Sequence, residues 1–133
     1  MQYAPSRRPD CPRIVIADED PTLVQFVTQA LRQDGLAVFP AYDALSATQL
    51  VLTLDRCDLL ISNTRVEGTP GVRLIHEIRE RRPYLPIVYL ANIAHSSPEL
   101  EAELPRDVPI LREPFTAEEL RAVVLPRLSD AQH

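Results

Sequence analysis

The sequence predicts an α/β fold, an open parallel sheet of five strands with helices on both faces. Three observations predict it. Short apolar runs alternate five times with segments of helical period, the pattern of successive βα units. Those runs are nearly continuous stretches of Val, Ile and Leu without polar alternation, as in strands buried on both faces. The length of 133 residues, with 45% hydrophobic and 25% charged, fits a single domain with one core.

The elements follow in order. Residues 1–12 hold three of the 13 prolines plus Arg7 and Arg8 and show no hydrophobic period, so they are expected to be a flexible lead-in. The domain is expected over 13–128. Its first strand is the run from Arg13 to Ala17, which ends in Asp18-Glu19-Asp20. Asp20 is a natural N-cap, and Pro21 takes the first helical position. That helix reaches about Asp34, with Leu23, Val27, Ala30 and Leu31 on one side and Gly35 as its C-terminal stop. Leu36 to Phe39 reads as the second strand and Ala44 to Leu54 as the second helix. The third strand, Asp58 to Ser62, opens at Asn63 into a loop bearing Gly68, Pro70 and Gly71, and the third helix spans Val72 to Arg82.

Pro86 to Leu90 is the fourth strand, and a short acidic helix starts at Ser97-Pro98-Glu99 and stops before Pro105. Val108 to Leu111 is the fifth strand, its proline suited to a sheet edge. Thr116 caps a last helix carrying Leu120, Val123, Val124 and Leu128, and residues 129–133 form a tail. Five such units imply a flavodoxin-like (βα)5 sheet in the order 2-1-3-4-5, with sites at the carboxyl ends of the strands. Those ends are Asp18-Glu19-Asp20, Asn63, Ala91 and Arg112-Glu113.

Charge narrows the function. Fourteen basic against 19 acidic residues leave a net charge of −5, which disfavours nucleic acid as a partner. All fourteen are arginine, which removes lysine-dependent chemistry from consideration. No apolar run approaches the roughly 18–20 residues of a membrane span, and no signal-peptide core follows Arg8, so a cytoplasmic protein is expected. Cys11 and Cys57 precede neighbouring strands, which leaves a redox pair or incidental proximity open, and a reducing compartment is the simpler context. His76 and His95 lack a nearby partner base and read as surface residues.

In this order the acidic cluster after the first strand, the run Asp58-Leu-Leu-Ile-Ser before Asn63, the glycine-bearing loop and Pro114-Phe115 resemble a response-regulator receiver domain of the CheY-like type. The resemblance implies two-component phosphorelay signalling and no enzymatic activity of its own. Family receivers are phosphorylated on an aspartate ending the third strand, with a divalent metal, a Thr or Ser after the fourth strand and a Lys after the fifth. Here Asp18 and Glu19 match the metal-binding acids. The acceptor position is Asn63, however, and its amide is a poor nucleophile. Ala91 stands at the hydroxyl position, Ile110 at the aromatic switch position and Glu113 at the lysine position. The chain is therefore expected to be a degenerate pseudo-receiver that docks proteins without phosphorylation.

No cofactor is then required, though weak Mg²⁺ binding at Asp18 and Glu19 stays open beside simple helix capping by these acids. Glu113 either crowds those carboxylates and raises a pKa, turns to solvent, or pairs with Arg112 or Arg65. The expected partner is a protein: a sensor kinase, an output protein or a second copy. The surface offered is the face of the fourth helix, fifth strand and fifth helix, where Glu99, Glu101 and Glu103 oppose Arg121 and Arg127. Two alternatives are a phosphotransfer receiver with Asp18 or Asp20 as acceptor, and a flavodoxin-like domain binding a small ligand.

Overall fold

The structure, a computed structural model, describes residues 11–131, with side chains through residue 128. Its elements are β1 (Arg13–Ala17), α1 (Pro21–Arg32), β2 (Ala37–Ala41), α2 (Ala44–Thr53), β3 (Leu59–Asn63), β4 (Arg65–Val66), β5 (Thr69–Pro70), α3 (Gly71–Arg81), β6 (Ile87–Ala91), α4 (Pro98–Glu101), β7 (Ile110–Arg112) and α5 (Ala117–Ala131). The main sheet is parallel in the order β2-β1-β3-β6-β7, the flavodoxin-like arrangement with the third strand followed by a small antiparallel hairpin of β4 and β5.

Residues alternate between two cores because successive side chains of a strand point to opposite faces. Ile14, Ile16, Leu59, Ile61, Val88 and Leu90 pack with α1 and α5 on one face. Val15, Leu60, Ile87 and Tyr89 pack with α2 and α3 on the other. The three central strands read as continuous apolar runs because both their faces are covered.

Several boundaries differ from the sequence expectation for identifiable reasons. Strand β2 runs on through Pro40 to Ala41, which the missing N–H permits because β2 is an edge. Strands β3 and β6 each extend one residue further, to Asn63 and Ala91, so both site positions lie inside the sheet rather than in loops. Helix α4 is a single turn: beyond it Glu103 and Leu104 donate to Leu100 and Glu101 in tighter three-residue turns before Pro105. Helix α5 accommodates Pro126 and continues to Ala131, into the segment expected as a tail. The expected lead-in lies outside the described residues except for Cys11 and Pro12, and these are already anchored. Cys11 is buried, and Ala37 N–H donates to the Pro12 carbonyl.

Candidate functional site

The carboxyl ends of β1, β3, β6 and β7 converge on one small acidic pocket. Asp18 follows β1 and is 2% exposed. One of its oxygens accepts the Asp20 N–H at 2.9 Å, which turns the chain sharply into α1, where Asp20 in turn caps Thr22. Asn63 ends β3 and is also 2% exposed. Its Nδ2 donates to Asp18 Oδ2 at 2.9 Å and to Glu113 Oε2 at 2.7 Å, and its Oδ1 accepts the Arg65 N–H at 3.4 Å. The opposite amide orientation would set Oδ1 against two carboxylate oxygens, so the network itself fixes Nδ2 inward.

Glu113 therefore turns into the pocket, and the two other outcomes weighed for it do not occur. Arg112 is held elsewhere by a bidentate pair with Glu101, at 2.7 and 2.9 Å, and Arg65 lies against Glu19 and His95. The Glu113 backbone is set by its N–H donating to the Ala91 carbonyl, which joins the ends of β6 and β7. Burial raises the Asp18 pKa from 3.8 to about 7; the Glu113 and Asp20 carboxylates push it further up, against the opposing hydrogen bonds from Asp20 N–H and Asn63.

Other expected residues are not gathered here. Glu19 points outward to Arg65 at 3.4 Å. Ala91 is buried and brings no hydroxyl. Ile110 is half-buried and lies in register beside Tyr89, whose fully buried ring is the aromatic of this region. The Tyr89 hydroxyl meets Ser96 Oγ at 3.0 Å, and Ser96 donates to Glu101 at 2.8 Å, so the loop before α4 is tied to the sheet. Arg112 holds Glu101 well below the usual carboxylate range, with Ser96 adding to the effect.

The charge opposition expected across the last elements is resolved differently. Glu101 is consumed by Arg112, and Arg121 pairs with Asp34 at the end of α1, at 2.8 Å. Arg127 donates to the Val123 carbonyl of its own helix. Glu99 and Glu103 remain exposed. The two thiols have different partners: Cys11 donates to the Gly35 carbonyl at 2.8 Å, and Cys57 packs against the α2–α3 side, where burial pushes its pKa to about 11. Both are free, and they do not form a pair.

Two positioning residues escaped the sequence reading. Thr64 is buried, and its hydroxyl donates to the Leu90 carbonyl and accepts the Asn92 N–H, both at 2.9 Å, fixing the exit from β6. Gly71 starts α3 directly against Asn63: a Cβ there would stand 1.8 Å from the Asn63 carbonyl oxygen. The glycine was visible in the sequence as part of the loop, but its close approach to the Asn63 carbonyl was not a matter of pattern.

The profile of the response regulator receiver domain matches residues 14–125. The chain belongs to that family. This receiver domain is 30% identical over 122 residues to the sensor histidine kinase TmoS of Ectopseudomonas mendocina, covering 90% of the chain and 12% of that protein. It is 26% identical over 117 residues to the DNA-binding transcriptional regulator NtrC of Klebsiella pneumoniae, covering 88% of the chain and 25% of the relative. The chain thus spans a quarter or less of the length of these relatives. Among solved structures it resembles the receiver domain of an HD domain-containing protein from Pseudomonas fluorescens Pf-5, with TM-score 0.83, 22% identity and coverage of 92% and 98%. A response regulator receiver protein from Sinorhizobium medicae gives TM-score 0.81 at 24% identity, covering 91% and 97%. Both likenesses concern the fold.

The receiver family implies a divalent cation at the acidic pocket. Hard cations are held by several oxygen ligands. The atom standing between Asp18 and Glu113 here is an N–H donor, Glu19 is turned away to Arg65, and no group of three or more His, Cys, Asp or Glu able to hold a metal occurs among the described residues. The residues present do not fit the ion. No helix among the described residues is long and apolar enough to cross a membrane.

Proposed function

We propose that this receiver domain signals without being phosphorylated, as a pseudo-receiver whose pocket is held in one state and whose output is the docking of a protein partner. The observation that carries this reading is the Asn63 amide, buried and hydrogen-bonded on both sides at the position where the family has its acceptor. Its nitrogen lone pair is delocalised, and no carboxylate oxygen is available there to attack a phosphoryl group. Asp18 is a poor substitute acceptor, since it is buried, engaged by two donors and without a neighbouring arginine among the described residues.

The docking surface we favour lies beside the pocket. Phe26 and Ile93 are 40% and 74% exposed and line a groove with Leu23, Pro114 and Phe115, with Asp20 and Glu113 on its rim. Neither acid meets an arginine among the described residues, so charge complementarity selects a partner segment bearing an arginine or lysine next to an apolar side chain. The free carboxylates of Glu99 and Glu103 carry the same sign onto the adjoining face of α4.

Intact mass after incubation with acetyl phosphate and Mg²⁺ tests the central point. The natural protein is expected to gain no phosphoryl group, beside an Asn63→Asp, Ala91→Thr, Glu113→Lys variant as the restored comparison. Phosphoryl uptake by the natural protein overturns the reading.

A further inference from the structure

The pocket contains two carboxylates less than 3 Å from one nitrogen, and among the described residues that nitrogen is the only donor that serves both. Ionised carboxylates are acceptors only, so each needs a hydrogen or a cation. Water is kept from Asp18 by its burial, and the two arginines of the neighbourhood are committed to Glu19 and Glu101. A primary amide meets the requirement because it carries two hydrogens on one atom. A carboxylate of the same shape carries none, and a hydroxyl carries one. The far end of the amide is held as well, by the Arg65 N–H.

We propose that the Asn63 carboxamide stands in the place of a cation, bridging Asp18 and Glu113, and that Asn63 and Glu113 form one donor–acceptor unit in which neither residue can be exchanged alone. The inference rests on the phosphorylation-independent reading, because a site that took up phosphate would have to open this unit. It goes beyond that reading by giving Glu113 a role. The carboxylate at 113 is the acceptor that a donor at 63 requires, so the loss of a basic side chain there and the loss of an acidic one at 63 are a single reversal of polarity. A divalent ion has no entry without turning the amide, which breaks its three hydrogen bonds together.

The test is thermal unfolding at pH 8, in chelator and in millimolar MgCl₂, of the natural protein, Asn63→Asp, Glu113→Lys and the double variant. The natural protein is expected to keep the same Tm in both buffers. Asn63→Asp places a third carboxylate between the other two; it is expected to lose roughly 10 °C in chelator and to recover much of that in MgCl₂. Glu113→Lys is expected to lower Tm in the natural protein and to raise it in Asn63→Asp.

A rise in the natural protein's Tm with MgCl₂, a stable Asn63→Asp in chelator, or strict additivity in the double variant overturns the proposal. Should Asn63→Asp not fold, the side-chain NH₂ resonances of Asn63 in the natural protein decide. Slow exchange with solvent, unchanged by MgCl₂, supports the bridge, and fast exchange or a shift on adding the ion overturns it. A natural protein that stays unphosphorylated yet gains stability from MgCl₂ sinks this inference alone. Phosphoryl uptake at a residue outside the pocket, with the amide unchanged by MgCl₂, sinks the functional reading alone, and uptake within the pocket sinks both.

Discussion

Replacing Gly71 by alanine separates a purely steric requirement from a conformational one. Gly71 has no positive φ, so alanine is permitted by its backbone. The obstacle is that the new Cβ would lie 1.8 Å from the carbonyl oxygen of Asn63 and 2.9 Å from its carbonyl carbon. Both are backbone atoms of β3, a strand paired on both sides, and no rotamer change removes them. Reaching even a tight contact of 3.0 Å requires α3 and β3 to part by more than an ångström. That movement strains the bond from Gly71 N–H to the Thr64 carbonyl, 2.9 Å long. Overpacking of this kind costs about 1–3 kcal/mol, and losing the hydrogen bond adds about 1 kcal/mol. Alanine's better helix propensity offsets at most about 1 kcal/mol of it. A net loss of about 2–3 kcal/mol is expected, read as a lowered urea midpoint with unchanged slope. Gly68→Ala is the comparison: its φ is +99°, but the nearest atom to a new Cβ is Ala44 Cβ at an ordinary 3.8 Å. It should cost about 1–2 kcal/mol, from the left-handed backbone alone. A Gly71→Ala variant within experimental error of the natural protein, or one more stable than Gly68→Ala, refutes the close approach that positions Asn63.

Asp18 makes stability depend on pH in an unusual direction for a carboxylate. Its folded pKa is raised from 3.8 to about 7, so its contribution is full below about pH 4 and is lost as pH rises through 7, by at most about 4 kcal/mol; urea midpoints at pH 5 and pH 8 should show this decline in the natural protein and a flatter profile in Asp18→Asn. Thr28 lies buried in α1 with its hydroxyl unpartnered. Thr28→Val keeps the shape and is expected to stabilise by about 0.5–1 kcal/mol, measured as a raised urea midpoint, and a loss of stability would show that the hydroxyl has a partner after all.

The fold was legible because burial on both sides of a parallel sheet writes itself as continuous apolar runs. Ile14 to Ala17, Leu59 to Ile61 and Ile87 to Leu90 needed no long-range information to be read as strands. The β4–β5 hairpin was not legible, since strands of two residues leave no period to detect. Gly68, with its positive φ, was its one local mark. That Asp18, Asn63, Ala91 and Glu113 stand at the carboxyl ends of strands was legible. The direction in which Glu113 points was not, because it depends on which acids capture Arg65 and Arg112. Those choices, Glu19 for one and Glu101 for the other, are made between different elements and, for Arg65, between segments far apart in the chain. The same holds for the charged surface, where Arg121 is taken by Asp34 across 87 residues rather than by the acids of α4.

These pairings explain why the pocket has the chemistry it has. A buried carboxylate in a chain without lysine is stabilised by arginine or histidine, by an N–H or hydroxyl donor, or by a proton. At the ends of β1, β3 and β7 the arginines are spent on the rim, which leaves the second and third means. Asp18 uses both: it accepts from Asp20 N–H and Asn63 Nδ2, and burial still holds its pKa near neutrality. Glu113 keeps contact with solvent and shares the remaining amide hydrogen. An aspartate at 63 would leave this arrangement with three acceptors and no donor between them. The asparagine amide is the donor that Asp18 and Glu113 share, and that sharing is what an exchange at either position would undo.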